Sequence, residues 1–315
     1  MCQGVELSLE LIRGIENFEG FDGRTVATIG TFDGLHLGHQ AILHQLKTAA
    51  ERKQGRALAI TFEPHPRVLV TPDSPPLLLT CLNEKARLFE NYLDGTLLIL
   101  NFTRELMNLT AEEFTRTYLV ERINLAKLIV GYDHAFGKGR SGTINDLMNL
   151  SRKYSFELEI VDPVIVNGRP ISSTRIRHLL AENNLPRAIE FLGHPYPLSG
   201  KVIGGIGLGK KIGFPTANIE YSQRKLLPTD GVYSCSVELK ENKYDGMMFI
   251  GKNHFNPAEA KSVEINIFDF DENIYGAELF CYPEVYIREN RKYPNTDALV
   301  EQIKLDKKKI LMTKK

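Results

Sequence analysis

The sequence predicts an α/β region built on a doubly wound parallel sheet, followed by a smaller region of antiparallel strands. Two observations carry this prediction. In the first half, short apolar runs alternate with segments of helical periodicity, which is the pattern of parallel βαβ units. After His194–Pro197, apolar and polar residues alternate along short runs, as in strands with one buried face. The 315 residues also suffice for about two domains.

The first half contains five short runs rich in Val, Ile and Leu, which predict strands buried on both faces. These runs are Val26–Ile29, Leu58–Phe62, Thr96–Leu100, Leu128–Val130 and Leu158–Val161. The segments between them with helical spacing are His39–Arg52, Asn83–Leu93, Ala111–Ile123 and Thr143–Tyr154. In such a sheet, ligands bind beyond the carboxyl ends of the strands.

The second half predicts an antiparallel barrel or sandwich closed by one helix. Tyr233–Leu239 and Val263–Ile267 alternate between a mostly apolar and a more polar face. Tyr275–Ile287 is predicted to be a further strand, interrupted at Pro283, and a helix is expected from about Asp297. We expect the lysine-rich last ten residues to be a frayed, solvated end.

Composition and charge restrict the classes of function. The 39 basic and 39 acidic residues cancel, which argues against a dedicated nucleic-acid binder but allows a nucleotide substrate. Apolar runs are far shorter than a bilayer span, and the first ten residues show no signal-peptide pattern. The cysteines, Cys2, Cys81, Cys235 and Cys281, form no CxxC pair. We therefore expect a cytoplasmic protein with small-molecule substrates and no nucleic-acid or membrane partner, and the oligomeric state stays open.

The segment Gly30–His39 follows the first predicted strand and precedes the first predicted helix. Its glycines, Gly30, Gly34 and Gly38, allow a tight turn and a close approach of backbone to ligand. Backbone N–H groups at the start of the next helix favour phosphate. His36 and His39 are three residues apart, so both could reach one phosphate group. A metal site is the alternative, but it has no clear third ligand.

A second segment, Ile171–Arg177, carries hydroxyl groups at the predicted start of a helix. Alone, these residues are an ordinary helix-capping signal. Together with the histidine motif, they offer hydroxyl and guanidinium donors to the far end of a triphosphate.

The glycine-rich segment Gly200–Asn218 contains a GxxxxGK string but is not a P-loop. Lys211 stands where Ser or Thr is required, and Pro215 would break the helix that must follow. Thr216 and Asn218 are two residues apart, so on a strand they share a face. Their oxygens are hard ligands that could help hold Mg²⁺ against a phosphate. The alternative is a mobile surface hairpin.

The first-half motifs resemble known enzymes. Gly30–His39 and Ile171–Arg177 are similar to the HxGH and SSTxxR motifs of nucleotidylyltransferases. Thr61–Arg67, Gly131–His134 and Phe136–Lys138 make the resemblance closer, to the adenylyltransferase half of bacterial bifunctional riboflavin kinase/FAD synthetases. This resemblance implies a Rossmann-like domain that transfers AMP from ATP to FMN and releases pyrophosphate.

The second half resembles the riboflavin kinase half of the same family, with the motifs in the same order. The matching segments are Gly213–Asn218, Pro228, Gly231–Tyr233, Val263–Glu264, Asp269–Phe270, Tyr275–Gly276 and Ile287–Glu289. The resemblance implies an antiparallel barrel that phosphorylates riboflavin with ATP. We expect residues 1–185 to form the adenylyltransferase domain and residues 186–315 the kinase domain.

The same resemblance implies roles for individual residues. Glu264 matches the base that acts on the ribityl 5′-hydroxyl, and the alternation places it opposite the Val263 and Ile265 face. His36 and His39 would stabilise charge on the ATP phosphates. The residues expected to bind ATP are Gly30, Phe32, Asp33, Gly34, Gly38, Ser173, Thr174, Arg177, Gly207, Gly209, Lys210, Pro215 and Thr216. The residues expected to contact the flavin are Asp133 and Arg288.

Two departures from the family pattern lie in the kinase half. Phe249–Phe255 replaces an Asn-Ile-Gly-x-Arg-Pro-Thr-like stretch, and Lys210 replaces an arginine, which removes a planar bidentate donor. The first departure motivates an alternative, an FMN adenylyltransferase whose barrel binds flavin but is catalytically inactive. A flavin sensor without enzymatic activity is a further alternative, which two sets of phosphate-binding residues disfavour.

Overall fold

The computed structural model describes residues 9–21, 23–205, 207–240, 242–252 and 261–314. The chain divides into two compact units, and each is described here by itself. The first unit comprises Met1–Leu78 and Lys85–Ser173, and the second comprises Leu79–Glu84 and Thr174–Lys315. Within the described ranges, no helix has both the length and the apolar character needed to cross a membrane.

The first unit contains a six-stranded sheet in which every pair of neighbours is parallel. Its strands are β1 (Leu9–Arg13), β2 (Thr25–Ile29), β3 (Arg56–Glu63), β4 (Gly95–Asn101), β5 (Leu125–Gly131) and β6 (Glu157–Val161). Their order is β1-β4-β3-β2-β5-β6, so the chain winds outwards in both directions from β2. All five predicted strands are confirmed. Edge strand β1 was not predicted, because its side chains are largely exposed and it has no continuous apolar run.

The predicted helices of the first unit are present. The α-helices are α1 (Leu37–Lys53), α2 (Arg67–Val70), α3 (Leu82–Phe89), α4 (Arg104–Asn108), α5 (Ala111–Phe114) and α6 (Ile144–Tyr154). The first three residues of α3, up to Glu84, are assigned to the second unit. A π-helical stretch, Thr115–Arg122, continues α5 and completes the predicted segment. Thr143 begins α6 with a capping box, in which its hydroxyl accepts from the Asp146 N–H and its own N–H donates to the Asp146 carboxylate. The predicted helix over 83–93 ends early, at Phe89.

A short hairpin that was not predicted separates the sheet from the Ile171–Arg177 segment. Its strands are β7 (Ile165–Val166) and β8 (Arg169–Pro170). Left-handed backbone at Asn167 and Gly168 makes the two-residue turn, as in the tightest β-hairpins. The segment therefore follows this hairpin and not, as the sequence suggested, the last strand of the sheet.

The second unit is a closed barrel of six antiparallel strands, in the order β10-β13-β12-β11-β14-β9. The strands are β9 (Leu198–Ile203), β10 (Ala217–Glu220), β11 (Gly231–Leu239), β12 (Asn242–Lys252), β13 (Lys261–Ile267) and β14 (Glu278–Arg288). The remaining helices are α7 (Ser173–Ala181), α8 (Leu185–Leu192), α9 (Leu208–Lys211) and α10 (Thr296–Thr313). The barrel is confirmed and the sandwich is not.

Two expectations for the second unit are corrected. Strand β14 begins at Glu278 and runs through Pro283, which lies opposite Cys235 where the β11–β14 register shifts. Proline lacks the N–H that a regular ladder needs, so an irregular pairing accommodates it. The lysine-rich segment is helical and not frayed over its described residues, because α10 continues to Thr313 and the buried Ile310 packs in the apolar cluster that contains Val232.

A buried ion pair ties the segment Leu79–Glu84 into the second unit. The Lys225 ammonium is 2.7 Å from the Glu84 carboxylate, and both side chains are 1% exposed. The same carboxylate accepts hydrogen bonds from the N–H groups of Cys81 and Ser199. Lys225 also donates to the Leu79 carbonyl at 2.7 Å. Buried charges need such partners, so this cluster fixes six residues of the early chain to the later unit.

Candidate active sites

The segment Gly30–His39 forms a strained turn between β2 and α1. Phe32 and Leu35 have left-handed backbone, with φ of 47° and 36°, and both side chains are buried. Residues other than glycine rarely adopt such angles, which persist only where the surrounding structure enforces them. Gly38 lies close to the first histidine, so a Cβ atom there would be a tight 3.2 Å from His36 Nδ1. The turn therefore has one defined shape, as a ligand-binding loop requires.

The two histidines of this turn lie together. Their rings are stacked with centroids 3.7 Å apart and planes inclined by 16°. Burial lowers the pKa of His39 well below its usual value, and the charges of His36 and Lys85 lower it further. His39 is consequently neutral near pH 7. Its buried Nδ1 has no hydrogen-bond partner among the described residues, which leaves a polar atom that can serve a ligand.

Two other predicted residues lie next to this turn within the first unit. Ser173 donates from its hydroxyl to the Asp33 carbonyl at 2.9 Å, which joins the two predicted ATP-binding segments. Asp133 is exposed just after β5, the strand beside β2 in the sheet. Because the strands are parallel, Asp133 and the turn lie at the same sheet edge. Thr174 and Arg177 follow in α7 and belong to the second unit.

Sequence reasoning missed Lys85. Its side chain is buried, and its ammonium donates to the Thr31 carbonyl at 2.7 Å and to the Thr61 hydroxyl at 3.3 Å. One signal was available, because Lys85 shares a helical face with the apolar Leu82 and Phe89. A lysine on the buried face of a helix indicates a specific partner for its charge.

The barrel contains the second candidate site, a cavity of about 480 Å³. The predicted residues that line it are Gly207, Gly209, Thr216, Asn218, Glu264 and Arg288. Lys210 and Pro215 do not line it. Lys210 lies in the single turn of α9, and the Pro215 carbonyl accepts a hydrogen bond from Asn266 at 2.7 Å. The cavity thus joins the glycine-rich segment to the strand that carries Glu264.

Oxygen donors converge in this cavity. The Thr216 hydroxyl donates to the Glu264 carboxylate at 3.4 Å, and Asn218 lies opposite Glu264 in the β10–β13 ladder. Hydroxyl, amide and carboxylate oxygens are the donors that Mg²⁺ prefers, so this set fits that ion. Among the described residues, no group of three His, Cys, Asp or Glu side chains is suited to a metal. A Cβ atom at position 205 would lie 2.2 Å from Asn218 Nδ2, so a side chain there would displace the Asn218 amide.

Arg288 enters the cavity in a fixed orientation. Its Nε donates to the Asp306 carboxylate of α10 at 2.8 Å, and Gln302 donates to the other oxygen of that carboxylate at 2.8 Å. The Arg288 guanidinium also lies 5.7 Å from the centre of the Tyr293 ring. Asp306 and Tyr293 were not predicted. Asp306 reaches Arg288 only because the fold brings α10 beside β14.

The structure describes the first part of the Phe249–Phe255 stretch, which departs from the family pattern. Phe249 lines the cavity, lies opposite Glu264 in the β12–β13 ladder and packs against the apolar cluster that contains Val232 and Ile287. The Phe249 ring therefore forms part of the cavity wall and also packs against the apolar core of the barrel. The rest of the altered stretch, from Asn253 to Phe255, lies outside the described residues.

Comparisons with known proteins match both regions. Residues 19–175 match the family model described as FAD synthetase, and residues 192–313 match the model described as riboflavin kinase. A crystal structure described as a macrolide-efflux protein from Streptococcus pneumoniae is also similar. It is 34% identical with a TM-score of 0.83, and the match covers 95% of this chain and 97% of that one.

Curated relatives are similar over nearly the full length. A bifunctional riboflavin kinase/FMN adenylyltransferase of Buchnera aphidicola (subsp. Acyrthosiphon pisum) is 35% identical over 95% of this chain and 96% of its own. The protein of the same name from Escherichia coli K12 is 34% identical, with the same coverage. With both family models matched in order, the chain belongs to the bifunctional riboflavin kinase/FMN adenylyltransferase family.

Proposed function

We propose that this chain phosphorylates riboflavin with ATP to give FMN, and then adenylylates FMN with a second ATP to give FAD and pyrophosphate. The observation that carries the proposal is that each unit contains a separate cluster of residues that the sequence predicts to bind phosphate. The stacked histidines lie in the unit matched as FAD synthetase, and Glu264 lies in the cavity of the unit matched as riboflavin kinase. We further infer small-molecule substrates, a cytoplasmic location and no nucleic-acid partner, which the balanced charge supports.

In the kinase step, the oxygen of the ribityl 5′-hydroxyl attacks the γ-phosphorus of ATP, and Glu264 accepts the proton of that hydroxyl. The bond from that phosphorus to the β,γ-bridging oxygen breaks, and ADP leaves. Thr216 and Asn218 are the residues that would hold Mg²⁺, which would neutralise charge on the phosphates. Gly207 and Gly209 bring the glycine-rich segment over the nucleotide. Arg288, whose Nε donates to the Asp306 carboxylate, is the residue to which we assign contact with the flavin.

In the adenylyl transfer, a phosphate oxygen of FMN attacks the α-phosphorus of ATP, and the bond to the pyrophosphate oxygen breaks. No base is needed, because the FMN phosphate is already an anion near neutral pH. His36 and neutral His39 donate N–H groups to the phosphate oxygens, where negative charge develops. Ser173, whose hydroxyl donates to the Asp33 carbonyl of the turn, holds the departing pyrophosphate, and the same role for Thr174 and Arg177 stays a prediction from the sequence. We assign contact with the flavin to Asp133, which lies at the same sheet edge.

The remaining predicted ATP contacts follow the same division. Gly30, Phe32, Asp33, Gly34 and Gly38 form the turn that receives the nucleotide of the second step. Lys210 and Pro215 do not line the cavity of the first step. We propose that they support nucleotide binding indirectly, by holding the glycine-rich segment that lines it. This assignment gives each step its own ATP site.

Paired variants test the proposal. His36→Ala should lower FAD formation from FMN by about 100-fold or more, because a donor to the developing charge is lost. FMN formation from riboflavin should stay within twofold. Glu264→Gln should do the reverse, with a loss of about 100-fold in FMN formation. Both products are separated by chromatography.

Two matched controls belong to this experiment. His44→Ala removes an exposed histidine of α1, and Glu220→Gln removes an exposed strand carboxylate of the barrel. Neither change should alter either activity. If one variant, His36→Ala or Glu264→Gln, abolished both activities in a folded protein, two separate sites would be excluded. A wild-type chain that makes FAD from FMN but never FMN from riboflavin would instead establish the inactive-barrel alternative.

A further inference from the structure

We propose that helix α3 is the platform that holds the Gly30–His39 turn in its reactive shape, and that Lys85 is its positioning residue. This inference rests on the proposed FMN adenylyl transfer and adds a residue that neither histidine motif nor SSTxxR motif contains. Three independent observations support it: the hydrogen bonds around Phe32, the packing of Phe89, and the place of the Lys85 charge.

The first observation concerns the backbone of the turn. Phe32 holds a left-handed φ of 47°, a strained conformation that persists only where the surrounding structure enforces it. Hydrogen bonds hold the carbonyls on both sides of it. The Lys85 ammonium donates to the Thr31 carbonyl at 2.7 Å, and the Ser173 hydroxyl donates to the Asp33 carbonyl at 2.9 Å. The strained residue is therefore fixed from its two ends.

The second observation concerns packing on the same helix face. Phe89 lies one turn after Lys85, so the two side chains point the same way. The fully buried Phe89 ring meets the Phe32 ring edge to face at 5.4 Å, and Phe32 meets His39 in the same way at 5.4 Å. Aromatic pairs of this kind have a preferred geometry. A continuous line of contacts thus leads from α3 through Phe32 to His39.

The third observation concerns charge. The Lys85 side chain is buried, and its ammonium lies close enough to the imidazoles to disfavour a proton on His39. A neutral donor at this position would hold the Thr31 carbonyl equally well. A lysine adds its charge to the burial and the His36 charge that together lower the pKa of His39, and it leaves positive charge beside the turn to which we assign the polyphosphate. A charge in such a poorly solvated place acts more strongly than one at the surface.

The test compares Lys85→Met with Lys85→Arg in the full chain. Lys85→Met removes both the hydrogen bonds and the charge, so the turn relaxes. We expect kcat for FAD formation from FMN to fall about 100-fold, as when reacting groups are misplaced by about 1 Å. FMN formation from riboflavin should stay within twofold. Lys85→Arg keeps the charge and should retain more of the rate. The control Lys153→Met removes an exposed lysine of α6 and should change neither activity.

A second readout does not depend on activity. The pKa of His39, followed by NMR titration of its ring, should rise in Lys85→Met and stay low in Lys85→Arg. A purely structural lysine would not produce this pattern. Where Lys85→Met fails to fold, Phe89→Leu loosens the same platform and should lower FAD formation alone.

The outcomes separate this inference from the function on which it rests. A wild-type chain that makes no FAD from FMN and ATP refutes the proposed function. Wild-type activity together with an unchanged rate and an unchanged His39 pKa in Lys85→Met refutes the role of Lys85. Equal losses of both activities in Lys85→Met would also refute it, because the helix would then serve general stability.

Discussion

Replacement of Lys225 by methionine is the stability change whose magnitude follows most directly from the structure. The Glu84 carboxylate is 1% exposed and receives hydrogen bonds from Lys225 at 2.7 Å, Cys81 at 2.9 Å and Ser199 at 2.8 Å. The Lys225 ammonium also lies 4.2 Å from the centre of the Tyr196 ring. Methionine has a similar length and no charge. The variant therefore leaves a buried carboxylate with only neutral donors.

Loss of one partner from a buried ion pair costs about 3–5 kcal/mol, because the remaining charge is uncompensated. We expect the free energy of unfolding of the second unit to fall by that amount in Lys225→Met. For a domain of this size, such a loss lowers the melting temperature by roughly 6 to 20 °C. Glu84→Gln leaves the ammonium unpaired instead and should cost a similar amount. The double variant buries no charge, so its loss should be smaller than the sum of the two by about 2 kcal/mol.

The assay is differential scanning calorimetry of the four proteins, with the second unit's transition identified by its rise on addition of riboflavin. The control is Lys304→Met, which breaks an exposed pair with Glu301 on α10 and should cost less than about 1 kcal/mol. Additive effects of Lys225→Met and Glu84→Gln would contradict the reasoning. So would a loss in Lys225→Met no larger than in Lys304→Met.

Two further predictions concern pH and flavin binding. Because the pKa of His39 is lowered in the folded protein, the unfolded chain binds its proton more readily, and stability should fall as pH drops from about 6.5 towards the folded pKa. His39→Gln should reduce that slope in urea unfolding at pH 7.5 and 5.5, and an unchanged slope would contradict this. Asp306→Asn should release Arg288 and raise KM for riboflavin about tenfold without changing FAD formation from FMN. Unchanged riboflavin kinetics would refute that role.

The sheet and the barrel were predictable because their signals are local. Buried parallel strands are continuous apolar runs, and half-buried antiparallel strands alternate, as in Tyr233–Leu239. Edge strand β1 lacks such a run, and its pairing with β4 depends on residues far away in sequence. The last turns of α10 were expected to be solvated because lysines dominate them, and the sequence does not show that Ile310 among them is buried against the barrel.

Candidate site residues could be proposed from the sequence where they share one short motif. They could not be proposed where they meet only through contacts between distant parts of the chain. His36 and His39 lie in one short segment, and Thr216 and Asn218 lie in another. Lys85 reaches Thr31 across 54 residues, a contact that only the completed sheet and helix create. The same holds for Asp306, which reaches Arg288 from the final helix. The spacing of residues along the chain does not indicate that such distant residues will be in contact.

The central claim is that one chain carries out both reactions at separate sites. The most direct measurement is a chromatographic time course with riboflavin, ATP and Mg²⁺ in one tube and FMN, ATP and Mg²⁺ in another. We predict that FMN appears first and FAD follows in the first tube, with one ADP and one pyrophosphate released for each FAD. FAD in the second tube alone would contradict the claim and leave the chain as an FMN adenylyltransferase with an inactive barrel.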